Sequence, residues 1–196
     1  MQITPVKLDG KLINLEPLSY EHVPDLTRVG LDKRIWKFMV YGFINSETGM
    51  RDWVRKMLEL QSHGADLPFA VIYKEGNIAI GATRYLNIRP ADRALEIGGT
   101  WYGVDYQQTG VNTECKYLLL KHAFETLDCI RVQLKTDARN LRSQHSIERI
   151  GAVKEGILRN HMILPDKTVR DSVFYSIIDS EWTQVKERLN YLMSKY

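Results

Sequence analysis

The chain has 196 residues, 44% hydrophobic and 26% charged, with a formal charge of +3, a balance typical of soluble globular domains and a length that buries roughly 70% of the unfolded chain's surface without disulfide or metal staples. The mild, dispersed charge gives no support to nucleic-acid binding; no apolar run approaches the ~18 residues of a membrane span, and residues 1–11 lack the apolar core of a secretory signal, so a soluble cytoplasmic protein with no membrane partner is expected. Cys115 and Cys129 have no second pair, and His22, His63, His122, His145 and His161 lack ligand spacing, which argues against a disulfide framework or a metal site.

No linker, repeat or low-complexity tract divides the chain, and residues 1–196 read as one continuous α/β domain. Asp9-Gly10 between apolar positions predicts a tight hairpin whose two central residues take positive φ. Ser19 predicts the cap of a short helix reaching about Val29, irregular at Pro24. Met50, Trp53, Val54, Met57 and Leu58 fall at i, i+3, i+4, i+7 and i+8, which predicts an amphipathic helix from Ser46 that Gly64 ends. Strands are predicted over 69–73 and 78–86, around Glu75-Gly76-Asn77, and over 94–102. A polar loop over 105–112 then enters a helix over 113–127, with Cys115, Leu118, Leu119, Ala123 and Leu127 on its apolar face and Glu114, Lys116, Lys121 and Glu125 on the other. Strict alternation over 130–136 predicts a strand with Ile130, Val132 and Leu134 on one face. A short helix over 141–150 stops at Gly151, strands over 156–164 and 168–178 surround Pro165-Asp166-Lys167, and Ser180 caps a last helix with Trp182, Val185, Leu189 and Leu192 as its apolar stripe.

Chemistry is expected where a glycine-containing loop enters a helix, because the first N–H groups there lack intrahelical partners and the helix dipole adds partial positive charge, so anions bind. Gly110 stands at that point, and the amides of Gln108, Thr109, Gly110, Asn112 and Thr113 are placed to converge on one anion. A triphosphate loop would need Lys-Ser/Thr where this chain has Val111-Asn112, and the three glycines of a dinucleotide fingerprint are missing, which excludes both readings. An ordinary turn competes as the explanation of a single such glycine. Gly98-Gly99 inside a strand predicts a bulge or a close ligand approach. Cys115 and Cys129 are expected as core thiols, and Tyr85, Trp101, Tyr102 and Tyr175 as core or cleft walls, not a nucleic-acid platform. His161, on a late strand, is the one histidine placed to line a cleft.

The loop Gln107-Gln108-Thr109-Gly110-Val111-Asn112 resembles the Gln/Arg-x-x-Gly-x-Gly/Ala loop of the GNAT superfamily of acetyltransferases, with Asn112 in place of the usual small residue. The order of elements over residues 6–178 is similar to that fold, and the tract Asp137-Ala-Arg-Asn-Leu-Arg-Ser-Gln-His-Ser-Ile-Glu-Arg-Ile-Gly151 resembles its later Asn-x-x-Ser motif. Within the superfamily the chain is most similar to the ribosomal-protein N-terminal acetyltransferases of the RimJ/RimL type, through Glu96-Ile-Gly-Gly-Thr-Trp-Tyr102, Thr113-Glu114 and residues 140–143.

The resemblance implies an α/β (α+β) fold with a mixed, mostly antiparallel central sheet flanked by helices and two central parallel strands splayed around the cofactor. It implies acetyl-coenzyme A as acetyl donor, no metal, and a cofactor site built from Trp101, Tyr102, Gly103, Gln107, Gln108, Thr109, Gly110, Val111, Asn112, Thr113, Asn140 and Ser143. The activity implied is acetyl transfer to a primary amine by direct attack through a tetrahedral intermediate. A strand bulge frees a backbone N–H for the thioester carbonyl, Glu96 is the candidate general base, and Ser143 protonates the departing thiolate or binds the cofactor. The tyrosine that serves as acid in many relatives is replaced by Ile147. Asn140 would meet the pantetheine arm, although an N-cap role explains it equally well, and Arg139 and Arg142 are candidates for the 3′-phosphate. The subfamily points to a protein or peptide N-terminal α-amino group as acceptor. A small-molecule amine, a non-catalytic acyl-coenzyme A-binding module and a homodimer stay open.

Overall fold

In the computed structural model, which describes every residue except Gln2, the elements run β1 (Leu8–Asp9), β2 (Ile13–Pro17), α1 (Val23–Gly30), α2 (Lys33–Trp36), α3 (Glu47–Ser62), β3 (Leu67–Tyr73), β4 (Ile78–Arg89), β5 (Ala94–Tyr102), α4 (Val111–Lys121), β6 (Arg131–Asp137), α5 (Leu141–Arg149), β7 (Val153–Ile163), β8 (Val169–Ile178) and α6 (Trp182–Met193). Among the described residues the strands form one sheet of order β1-β2-β3-β4-β5-β6-β8-β7. Every neighbouring pair is antiparallel except β5 and β6. This is the mixed sheet with one central parallel pair that the sequence led us to expect.

Period-two alternation divides the sheet's side chains between two cores. On one face Tyr85, Ile97, Val132, Leu134, Val173 and Tyr175 pack under α4, α5 and α6. On the other, Ala70, Ile72, Ala82 and Trp101 of the β3–β5 half pack under α1, α2 and α3 through Leu26, Trp36, Met50 and Trp53. Helix α3 starts as predicted: Ser46 Oγ accepts from the Gly49 amide at 3.1 Å, and Gly64, at φ +69°, follows its end. Pro24 does not break α1, because it lies in the first turn, where a missing N–H costs nothing; the irregularity expected there is a 3₁₀ turn over Tyr20–His22 that precedes the helix.

Several expectations are corrected. Neither Asp9 nor Gly10 has positive φ; the β1–β2 connection is a wider loop folded around a carboxylate. That carboxylate belongs to Glu114, which the helical wheel put on a polar face: it is buried, and its oxygens accept from the amides of Lys11 at 2.5 Å, Leu12 at 2.8 Å and Ile13 at 2.9 Å. Lys116, assigned to the same face, is also buried. The long helix expected to Leu127 ends at Lys121 and continues as one π turn over His122–Thr126, closed by the Leu127 amide on the His122 carbonyl. Ile130 lies before β6 and is exposed, unlike Val132 and Leu134. Ser180 is not the cap of α6: Glu181 is the N-cap residue and makes no side-chain cap bond, its carboxylate instead accepting from the Ile178 amide at 3.0 Å at the start of the 3₁₀ turn Asp179–Glu181. Helix α2, only four residues long, is too short to leave a periodic signal.

Edge strand β7 is tied to β6 across β8 by Glu155, whose carboxylate accepts from the Arg131 guanidinium at 2.6 Å and the Ser176 hydroxyl at 2.8 Å. Hydrogen bonding to Arg131 holds the Glu155 carboxyl down to about 2. A depressed folded value means that the stabilisation is present above the unfolded value, about 4.3, and is lost as pH falls toward 2. Glu155→Gln should therefore lose stability at pH 7 and show a shallower decline than the parent between pH 5 and 2, measured by urea unfolding at each pH.

Candidate active site

β5 and β6 pair only at Ala94 with Arg131, Leu95 with Val132 and Glu96 with Gln133. Beyond that the strands part: Ile97–Tyr102 keeps β4 on its outer side, Leu134–Asp137 keeps β8, and the two inner edges face each other unpaired. Backbone groups on such edges are ready to bond an amide-bearing chain.

The β5 arm carries the bulge that Gly98-Gly99 predicted. Ala82 pairs with Trp101 and Arg84 with Gly98, so Gly99 and Thr100 together oppose Thr83. Gly99 has φ +60°, and a Cβ there would lie 2.7 Å from the Tyr41 hydroxyl oxygen and 3.0 Å from Arg84 Nε. The bulge is seated from below by Lys116, whose Nζ donates to Thr100 Oγ1 at 2.9 Å while that oxygen meets Thr83 Oγ1 at 2.8 Å. The Trp101 ring is a core element, 5.0 Å from Trp36 and 5.8 Å from Trp53 between centroids, which leaves only its main chain to the cleft.

After Tyr102 and Gly103 the chain turns through Gln107 and Gln108, the latter at φ +61°, into Gly110 and α4. Gln107 Nε2 donates back to the Tyr102 carbonyl at 3.0 Å, and Thr109 Oγ1 takes the Val111 amide at 3.3 Å, so Gln107's side chain and Val111's N–H brace the loop. The amides of Gln108, Thr109, Gly110, Asn112 and Thr113 donate to no acceptor among the described residues. They surround the start of an eleven-residue helix, where the dipole favours negative charge. Asn112 bridges the arms: its Oδ1 accepts from the Tyr102 hydroxyl at 3.2 Å and its Nδ2 donates to Ser146 Oγ at 3.0 Å, while Arg149 donates to Thr113 Oγ1 at 2.9 Å.

On the β6 arm, Asn140 is the N-cap of α5, with Oδ1 accepting from the Ser143 amide at 3.1 Å, and Ser143 is half-buried. Ile147 is core. Arg139 clamps the buried Asp137 with Nε and an NH2 group, whereas Arg142 is exposed and has no ion pair among the described residues.

Glu96 lies where the strands part, 2% exposed. Its Oε2 accepts from Asn87 Nδ2 and Gln133 Nε2, each at 2.8 Å, and its Oε1 has Lys135 Nζ at 3.1 Å. Lys135 was absent from the candidates read in sequence, although alternation puts it on the Glu96 face through Gln133. A groove of about 470 Å³ lies between α2 and the β7–β8 hairpin, walled by Trp36, Met39, Phe43, Leu164 and Pro165; His161 lies on β7 with Nδ1 3.0 Å from Ser172 Oγ. Both cysteines are buried core thiols, and burial pushes Cys129 up to about 11. Among the described residues there is no group of three or more His, Cys, Asp or Glu placed to hold a metal, and no helix is long and apolar enough to cross a membrane.

Comparison with known proteins agrees with this architecture. Residues 13–153 match the acetyltransferase (GNAT) domain family. The chain is 28% identical over 174 residues to a candidate ribosomal N-acetyltransferase, YdaF, of Bacillus subtilis, covering 86% of this chain and 90% of that one. It is 25% identical over 172 residues to the ribosomal-protein-serine acetyltransferase of Escherichia coli, covering 86% and 94%. In structure it is similar to a GCN5-related N-acetyltransferase from Brucella melitensis, with TM-score 0.91, 25% identity, and 97% and 86% of the two chains covered. With a family match over residues 13–153 and relatives that align over most of its length, this chain belongs to the GNAT family and is an acetyl-coenzyme A-dependent N-acetyltransferase.

Proposed function

We propose that residues 1–196 work as one domain, in the cytoplasm and without a metal, that moves the acetyl group of acetyl-coenzyme A onto the N-terminal α-amino group of a protein or peptide. The observation that carries this reading is the coincidence of five unpartnered amides at the start of α4 with the point where β5 and β6 part. Those amides suit a diphosphate, and the inner strand edges suit an amide-bearing arm. Trp101 and Tyr102 contribute through their main chain, Asn140 and Ser143 flank the other arm, and Gly103 serves as the turn between them and the loop, its N–H donating to the Ile80 carbonyl at 2.8 Å and its carbonyl accepting from the Tyr106 amide at 3.0 Å. The ribosomal names of the relatives from Escherichia coli and Bacillus subtilis support a protein acceptor.

In the transfer, the acceptor nitrogen bonds to the acetyl carbon and the carbon–sulfur bond breaks. The amine's proton passes to Glu96 Oε1, directly or through one water, and the thiolate takes a proton from Ser143 Oγ or from water. Charge that develops on the carbonyl oxygen meets the donors of the Gly99 bulge.

Calorimetry with acetyl-coenzyme A and release of free thiol with N-terminal peptides test the reading together. Binding heat and acceptor-dependent thiol release are the expected results. Asn112→Asp, which sets a carboxylate among the amides at almost unchanged size, should weaken acetyl-coenzyme A binding about tenfold with the thermal midpoint retained. Absence of heat with the parent protein would remove the proposal, and binding without thiol release for any peptide or amine would reduce it to a carrier-binding module.

A further inference from the structure

Arg170, on β8, is a buried cation with unused donors. It is 5% exposed, and the one hydrogen bond its side chain makes among the described residues runs from Nε to Ser172 Oγ at 3.0 Å. A guanidinium carries five N–H donors, so four are without a protein acceptor. The two carboxylates whose charges bear on it are Asp137 and Glu96, and both are committed elsewhere: Asp137 to Arg139, Glu96 to Lys135, Asn87 and Gln133. Neither comes within ion-pair distance of Arg170. Its terminal nitrogens are not among the buried, unpartnered atoms sealed from solvent, so they reach open space. A buried guanidinium left in this state is costly unless something completes it.

The sheet register places Arg170 relative to the chemistry. Ser172 opposes Asp137, Phe174 opposes Lys135, Ser176 opposes Gln133, and Gln133 opposes Glu96. Residues directly opposite one another share a face, so Glu96, Gln133, Lys135, Ser172 and Arg170 lie on one face of the sheet, the face opposite α4. Glu96 and Arg170 both act on the charge of His161, whose Nδ1 meets the same Ser172 hydroxyl as Arg170 Nε. The register sets Arg170 six residues farther along β6 than Gln133, about 20 Å at ~3.3 Å per residue. Both side chains rise from that shared face and the Glu96 charge bears on Arg170, so an acceptor peptide with its amine at Glu96 would carry an acidic side chain one or two residues along toward the guanidinium.

We propose that Arg170 is the anion-recognising group of the acceptor site and that the preferred acceptor is a peptide with an aspartate or glutamate at its second or third position. This inference rests on the acetyl-transfer reading above. An acceptor carboxylate would take two of the free guanidinium donors as a charge-assisted pair, while the α-amine lies at Glu96.

The experiment measures kcat/KM by thiol release for peptide pairs that differ only by Asp against Asn, or Glu against Gln, at positions two and three, with free aspartate and glutamate as separate acceptors. The parent protein should favour the acidic peptides about 10- to 100-fold, with the difference mainly in KM. Arg170→Gln should bring that ratio close to one, and Arg170→Lys, which keeps the charge but not the fork, should restore part of it. Calorimetry with acetyl-coenzyme A on each variant reports an intact cleft. A ratio near or below one in the parent overturns the proposal even where the variants fail to fold, as does an unchanged ratio in Arg170→Gln, and a preference for free amino acids overturns the peptide assignment. None of these outcomes bears on acetyl-coenzyme A binding or turnover of neutral peptides, so a failure here is distinct from a failure of the acetyl-transfer reading.

Discussion

Replacing Glu114 with alanine is expected to lower the free energy of unfolding by about 3 kcal/mol, because a buried charged acceptor is removed from three backbone donors at once. The amides of Lys11, Leu12 and Ile13 have no other acceptor in the β1–β2 loop, and Ile13 begins a strand that packs in the core. Glu114→Gln keeps the shape but turns an NH2 group toward those donors, so it should recover less than half of the loss. Gly10 belongs to the same device: a Cβ there would come 2.8 Å from the Glu114 carboxyl carbon and 2.7 Å from the Ile13 carbonyl oxygen, and Gly10→Ala should destabilise in the same direction. Urea unfolding followed by far-ultraviolet circular dichroism measures all three, and a loss below about 1 kcal/mol for Glu114→Ala would show that the loop finds water as readily as it finds the carboxylate.

Glu96→Gln is expected to cut kcat about 100-fold while leaving the acetyl-coenzyme A dissociation constant unchanged, on the role proposed for it in taking the acceptor's proton. The substitution keeps an oxygen for Asn87 and Gln133 but removes the partner of Lys135, so circular dichroism and calorimetry must first show the fold and the cofactor site intact. A structural role and a proton-transfer role then separate on pH. As the acceptor amine deprotonates by itself at high pH, the variant's rate should climb toward that of the parent; a constant deficit from pH 6 to 10 would assign Glu96 to structure, and parent-like turnover throughout would remove it from the reaction.

The parts legible in sequence are those that local periodicity and turn chemistry dictate. Helix α3 was expected from Ser46 to Gly64 and runs Glu47–Ser62, because its apolar positions recur at helical spacing and its cap is a neighbour in sequence. The sequence predicts strand β5 over 94–102 and it is Ala94–Tyr102, and its paired glycines mark the bulge, since glycine takes positive φ inside a strand with the least strain. The glycine before α4 marked the amide cluster by its place at the helix start; its φ is −63°, and the positive φ of this turn belongs to Gln108.

Charged residues defeated that kind of reading. A helical wheel sorts Glu114 and Lys116 by their distance from one apolar stripe, yet α4 is covered on two sides, by the β1–β2 loop at Glu114 and by the β5 bulge at Lys116. Arg170 reads in sequence as an ordinary surface position of an alternating strand, and only the commitment of Asp137 to Arg139 and of Glu96 to Lys135 leaves it without a partner.

The order of strands and helices, the anion-ready turn into α4 and the bulged strand were determined by the sequence alone, because each depends on residues within a turn or two of one another. Where β5 and β6 stop pairing, which carboxylates are already occupied and which cation is left facing open space were decided only by the tertiary structure. These are contests among groups dozens of residues apart, settled by burial and by the limited number of acceptors that a folded interior contains.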